Sequence, residues 1–269
     1  ETPEEFGYDI ILGFRQAAYH EHYDITVTPV TPLFQSTQKY DTYMLRNGYV
    51  GAFMIGFALQ DDWMTQFNDT DIPTVLLDNY IKKNPAVSYI GTDSFEGIDD
   101  AIVHLMQMGH SRIALINGSR NSMISEQRRQ AYIDGMTAHG LSFSEETMPY
   151  GYYVADAAKD HVSNLLSMGI TAILCCNDLM ASGVIAECRK RGFRVPEDVS
   201  VIGFDDLPIS AQLVPPLTTI RQDRLVLGKC GFYSLHSLIN HVPISRTMLR
   251  PQLIVRKSTG TAAIQDDSL

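Results

Sequence analysis

Short apolar runs alternate with amphipathic stretches along the whole chain. Residues 24–30, 49–55, Thr74–Leu77, 87–91, 112–117, 171–176 and 199–204 are rich in Val and Ile and end near Gly, Pro, Asn or Asp, which predicts strands. Most show little polar alternation, the pattern of parallel strands covered on both faces. Between them the apolar residues take helical spacing. In 95–108, Ile98, Ile102, Leu105 and Met106 recur on one side, and Gly109 follows as a C-cap. Residues 125–139 repeat the design before Gly140. Residues 179–191 carry Val184, Ile185 and Cys188 on one face and end in three basic residues before Gly192, which complements the helix dipole. Such alternation predicts an α/β fold built on parallel sheets with right-handed crossovers. Pro215 and Pro216 mark a rigid loop that continues neither a helix nor a central strand. The polar end, 261–269, reads as a flexible tail.

At 269 residues the chain exceeds one typical core and suits two lobes of roughly 100–150 residues each. Its net charge is −10. The densest basic runs, Arg189-Lys190-Arg191 and Arg128-Arg129, are short, so the chain by itself lacks the clustered cations that displace counterions from DNA. No stretch approaches the ~20 apolar residues of a membrane span, and the acidic start, Glu1 to Glu5, does not read as a signal peptide. The four cysteines, Cys175, Cys176, Cys188 and Cys230, fit no zinc spacing and read as buried free thiols, which places the protein in a reducing cytoplasm.

In open parallel sheets, ligands bind at the carboxyl ends of strands. Four predicted strands run into carboxylates or an amide there: Asp78, Asp93, Asn177-Asp178 and Asp205-Asp206. Such groups accept from and donate to hydroxyl-rich ligands. Each alone also reads as an ordinary helix cap. The pair Asp205-Asp206 offers one residue for capping and one to spare.

Enzymatic constellations are poor. No glycine-rich dinucleotide or phosphate loop and no Gly-x-Ser-x-Gly elbow occurs. The histidines are scattered, and His110 reads as part of a turn entering the next strand. No catalytic residue, cofactor or metal is expected.

The stretch Val195-Pro196-Glu197-Asp198-Val199-Ser200-Val201-Ile202-Gly203-Phe204-Asp205-Asp206, followed by Pro216-Leu217-Thr218-Thr219-Ile220-Arg221-Gln222, resembles the LacI/GalR family of bacterial transcription regulators. Further segments agree: Gly109-His110-Ser111-Arg112-Ile113-Ala114, Ser125 with Arg128, Ala131 and Tyr132, Asn177-Asp178 with Ala181 and Gly183, and the ending from Leu249 through Pro251 and Arg256 to Ser258-Thr259. The resemblance spans about residues 6–260. It implies two Rossmann-like lobes of the type I periplasmic-binding-protein kind, with three inter-lobe crossovers and a small effector between the lobes. Projected onto this chain, the N-terminal lobe is 1–91 plus 222–250, and the C-terminal lobe is 92–221 plus 251–260.

Matching positions suggest effector contacts at Asp93, Arg128, Asn177 and Asp205. Phe6, Phe57, Tyr152 and Tyr153 are candidate aromatic walls, with plain packing as the other reading, and Asp78 is a further candidate. Arg224 stands where family members often carry an aromatic residue, which leaves room for an anionic effector. The resemblance implies a homodimer sensing a sugar or sugar derivative, with a purine or another small metabolite as the alternative effector, no membrane, and DNA contact only through an N-terminal helix-turn-helix, which nothing in this chain resembles. The family's first strand normally precedes the segment beginning near Phe6, and residues 1–5 do not read as that strand. It is expected upstream of residue 1, or the lobe goes without it. The rival readings are a solute-binding protein of a sugar transporter, which shares fold and cleft, and an enzyme using Asp93 or Asp205 as a general base.

Overall fold

The computed structural model describes residues 5–262. In chain order come helices α1 (Phe6–His20), α2 (Pro32–Thr37) and α3 (Tyr40–Asn47), strand β1 (Ala52–Met54), α4 (Asp62–Gln66), β2 (Thr74–Leu77) and β3 (Val87–Thr92). Then follow α5 (Ser94–Gln107), β4 (Ile113–Ile116), α6 (Met123–Ala138), a 3-10 turn (Glu145–Thr147), α7 (Ala155–Ser167), β5 (Ala172–Cys175), α8 (Asp178–Lys190) and β6 (Ser200–Asp205). The chain closes with α9 (Pro208–Gln212), β7 (Thr218–Arg221), α10 (Arg224–Ile239), β8 (Arg246–Leu249) and β9 (Gln252–Ile254).

These elements divide into two compact units, Glu1–Thr92 with Asp223–Leu249, and Asp93–Gln222 with Arg250–Leu269. The chain therefore passes from one to the other three times. The first unit holds a four-stranded sheet in the order β1-β2-β3-β8, parallel throughout. The second holds β4-β5-β6-β7-β9, parallel except for β9, which runs antiparallel to β7. The fold is α/β, with alternating helices and mostly parallel strands. β2 to β6 are buried along their whole length, as the unbroken apolar runs require.

The helices form where local signals are strongest. Asp93 caps α5 through Oδ1, Ser122 caps α6, Asn177 caps α8 and Asp223 caps α10, each accepting a backbone N–H of the first turn. The stripe Ile98, Ile102 and Leu105 is buried, as are Val184, Ile185 and Cys188. Gly109, Gly140 and Gly192 follow their helices at positive φ. His110 is buried at the start of β4: Nδ1 lies 2.9 Å from Thr171 Oγ1, and Nε2 lies 3.0 Å from both Ser200 Oγ and the Gly260 carbonyl. It ties three distant segments together.

One predicted strand is absent. Residues 24–30 form neither helix nor strand and are largely exposed. A strand needs a neighbour to take its N–H and C=O groups, and among the described residues β1 pairs with β2 alone. Ile25 instead packs beside Phe232 of α10. The first described element is α1, so the sequence expectation of a preceding strand falls on no described residue. Of the predicted tail, Ala262 donates its N–H to the Met108 carbonyl at 2.8 Å, and 263–269 lie outside the described residues.

Candidate functional site

The carboxyl ends of the strands in the second unit gather its buried polar groups. β6 runs into Asp205 and Asp206, whose φ angles are +108° and +53°. Positive φ is unusual for residues with a side chain, although Asp tolerates it better than most, and it persists only where surroundings impose it. Here they do. Asp205 Oδ1 accepts from Gln222 Nε2 at 2.7 Å. Asp206 accepts from Arg221 Nε and from Arg256 Nη2, both at 2.7 Å. Neither aspartate caps α9, whose N-cap residue is Leu207, so the capping role considered for this pair is not the one the geometry gives.

Arg128 projects from α6 into the same region and is 3% exposed. Its Nη1 donates to the Cys176 carbonyl at 2.5 Å, and its guanidinium carbon sits 3.7 Å from the centroid of the Phe204 ring. The ring face attracts the cation and fixes its plane. Nη2 lies 4.0 Å from Asp205 Oδ1, which is Coulombic range without hydrogen-bond contact. A buried donor fork thus stands beside a buried acceptor. A hydroxyl, which both donates and accepts, matches such a pair.

Asn177 accepts from the Met180 N–H at 2.9 Å through Oδ1, and its Nδ2 faces the Tyr153 carbonyl at 3.4 Å. Tyr153 packs its ring over Gly118, and its hydroxyl lies 3.2 Å from Ser122 Oγ. Arg128, Asp205, Asn177 and Tyr153 are therefore linked through β5, β6 and their following turns. Asp93 belongs to the same unit and spends Oδ1 on the N–H groups of Phe95 and Glu96, at 3.0 and 3.1 Å. Tyr152 turns elsewhere: it is 51% exposed, with its ring 6.4 Å from that of Tyr150.

The other four candidates lie in the first unit. Asp78 ends β2 at φ +59° and donates its N–H to Ile90. Arg224 opens α10 and is bonded to Asp9 of α1. Phe57 packs on Trp63 and Phe67, and Phe6 on the cluster around Ile10; the packing account describes what both rings do in this structure.

The sequence places Asp178 at a strand end but does not single it out as a site residue. It is fully buried and accepts three hydrogen bonds, from Leu207 N–H at 2.7 Å and from the hydroxyls of Ser210 and Thr219 at 2.6 Å. Burial, and then the charge of Asp205, push its pKa upward. It anchors the turn that presents Asp205. Its place after Asn177 was visible in the sequence, but its three donors come from residues 29 to 41 positions away. Among the described residues no group of His, Cys, Asp and Glu could hold a metal, and no helix is long and apolar enough to cross a membrane.

The chain's relatives have the same architecture. The periplasmic binding protein-like domain model matches residues 102–259. The HTH-type transcriptional repressor PurR of Pasteurella multocida (strain Pm70) is 32% identical over 255 residues, covering 93% of this chain and 76% of the repressor. Among solved structures, a complex of the transcriptional regulator CelR with cellobiose superposes with a TM-score of 0.85 at 25% identity, over 94% of this chain and 79% of that one. A Lac repressor dimer bound to operator and the anti-inducer ONPF gives 0.80 at 25% identity, over 95% and 90%. These relatives are transcription regulators, not enzymes or transport proteins. With its two parallel-sheet units and the polar cluster at the strand ends, the chain belongs to the LacI/GalR family of transcription regulators and represents the family's effector-binding, periplasmic-binding-protein-like part.

Proposed function

We propose that this chain senses a sugar or sugar derivative and, as a homodimer in the cytoplasm, passes the signal to DNA through a helix-turn-helix N-terminal to the effector-binding part. The effector is held at the carboxyl ends of the second unit's strands, with Arg128 and Asp205 as its principal polar partners and Asn177 and Tyr153 beside them. The observation that carries this is the buried Arg128–Asp205 pair, with Nη2 and Oδ1 4.0 Å apart. A guanidinium and a carboxylate set side by side suit vicinal hydroxyls, one accepting and the next donating. Asp78, Asp93 and Arg224 are secondary candidates. For the ligand to act as a signal it must bind one conformation better than another.

A thermal-shift screen against neutral sugars, sugar acids, sugar phosphates and nucleobases tests the assignment. A ligand at ~100 times its Kd adds ~2.7 kcal/mol of stability. Arg128→Ala and Asp205→Ala should each weaken the ligand so found by ~1.5–3 kcal/mol, the scale of a hydrogen bond to a charged group. If both variants bind it as the wild type does, the effector sits elsewhere.

A further inference from the structure

The second unit carries another concavity, of about 530 Å³, whose lining includes Arg120, Glu145, Tyr150, Tyr152, Asp160 and His161. Small-molecule sites fall in the range of roughly 300–1,000 Å³. Its aromatic wall is firmly held. The Tyr150 hydroxyl donates to Glu126 Oε1 at 2.9 Å, and the Tyr150 carbonyl accepts from His161 Nε2 at 3.0 Å. The Arg120 guanidinium lies over the Tyr150 ring, 4.6 Å from its centroid. The Tyr152 ring stands beside it, 6.4 Å away and tilted by 36°.

Tyr152 and Tyr153 both have positive φ, +54° and +62°. Tyrosine has no local hydrogen bond with which to offset that conformation, so the turn is imposed by its setting. Gly151 N–H bonds the Asn117 carbonyl at 2.8 Å, and Tyr152 N–H bonds the Gly118 carbonyl at 3.0 Å. The consequence is that consecutive rings part: Tyr153 lies on Gly118, and Tyr152 joins the concavity with half its surface exposed. A large apolar ring kept in water by a strained turn is a platform without an internal use.

The polar rim specifies what would lie on that platform. Arg120 supplies donors, and Asp160 and Glu145 supply acceptors. Glu145 is paired with Arg129, and Arg120 and Asp160 supply the remaining charges of the lining, one of each sign. A neutral occupant with one apolar face and a rim of hydroxyls meets every requirement; an anion would meet Asp160 unfavourably and a cation Arg120. We propose that this concavity is a second ligand site, taking the pyranose ring of a neutral sugar against Tyr152, with hydroxyls on Asp160 and Arg120.

The test is a glucose titration of the protein carrying 13C-labelled tyrosine rings, with the Tyr152 signal assigned through Tyr152→Phe. The Tyr150 and Tyr152 signals should shift saturably and together in the wild type. They should do the same in Arg128→Ala, where the strand-end cluster has lost its cation; Asp205→Asn replaces that variant if its spectrum is not that of a folded protein. Followed on Tyr150, Tyr152→Ala and Asp160→Asn should each weaken glucose roughly tenfold, and Tyr152→Phe should bind as the wild type does. No saturable shift in the wild type overturns the proposal. So does a shift that disappears in Arg128→Ala or Asp205→Asn, which would assign it to the strand-end cluster, or a Tyr152→Ala titration that matches the wild type.

Discussion

The guanidinium of Arg224 lies against the carboxylate of Asp9, with Nη2 2.8 Å and Nε 3.3 Å from the same Oδ2. This joins the first turn of α10 to the first turn of α1 across 215 residues of sequence. Arg224 is 8% exposed, and a buried cation is tolerated when a carboxylate matches it. The arginine that suggested room for an anionic effector therefore already has an anion within its own unit.

Asp9→Ala should destabilise the protein by ~1.5–3 kcal/mol, because Arg224 would lose its charge-assisted hydrogen bonds. The urea midpoint at neutral pH measures it. A midpoint unchanged within error would mean that water or other groups serve Arg224 equally well, and that the two helices are held by their apolar faces alone.

Asp178 gives a pH signature. Its pKa is pushed up to about 7 by burial and by Asp205, from 3.8. Between those values the folded state holds a proton that the unfolded state has released, so this group's contribution to stability falls as pH rises from about 4 to about 7 and levels off above, by at most about 1.4 kcal/mol per pH unit. His104 and His110, whose pKa values burial lowers from 6.5, act oppositely: their contribution is present above pH 6.5 and is lost on acidification. Subtracting the Asp178→Asn profile from that of the wild type cancels the histidines. The difference should decline from pH 4 to pH 7; a flat difference would show that its three hydrogen bonds keep the carboxylate ionised throughout.

Gly118 sits under the Tyr153 ring, and a methyl group there would overlap it. Gly118→Ala should displace the ring, break the contact of its hydroxyl with Ser122 at 3.2 Å and weaken the effector found by the thermal-shift screen about tenfold. Tyr153→Phe, which keeps the ring and loses only the hydroxyl, should bind within about threefold of the wild type. Equal affinity in wild type and Gly118→Ala would remove Tyr153 from the effector site.

Much of this protein was decided within short windows of sequence. The apolar runs became β2 to β6 because a stretch without polar alternation can be buried on both faces. The helices began at Asp93, Ser122 and Asn177 because a side-chain oxygen reaches an N–H two or three residues on. Both are local rules, and a sequence displays them directly. Long family-like motifs such as Val199 to Asp206 added the architecture and the positions of Arg128 and Asp205. What required the tertiary structure was everything that depends on a distant partner. Residues 24–30 have the composition of a strand but pair with no strand among the described residues. Arg224 and Asp9 pair across the chain, and Asp178 draws its donors from the N-terminal end of α9 and from β7. Tyr152 and Tyr153 are adjacent and alike in sequence, and a backbone at positive φ sends them to different surroundings. Burial and long-range pairing are properties of the assembled chain, so they set the charge balance and the aim of side chains whose presence the sequence had already announced.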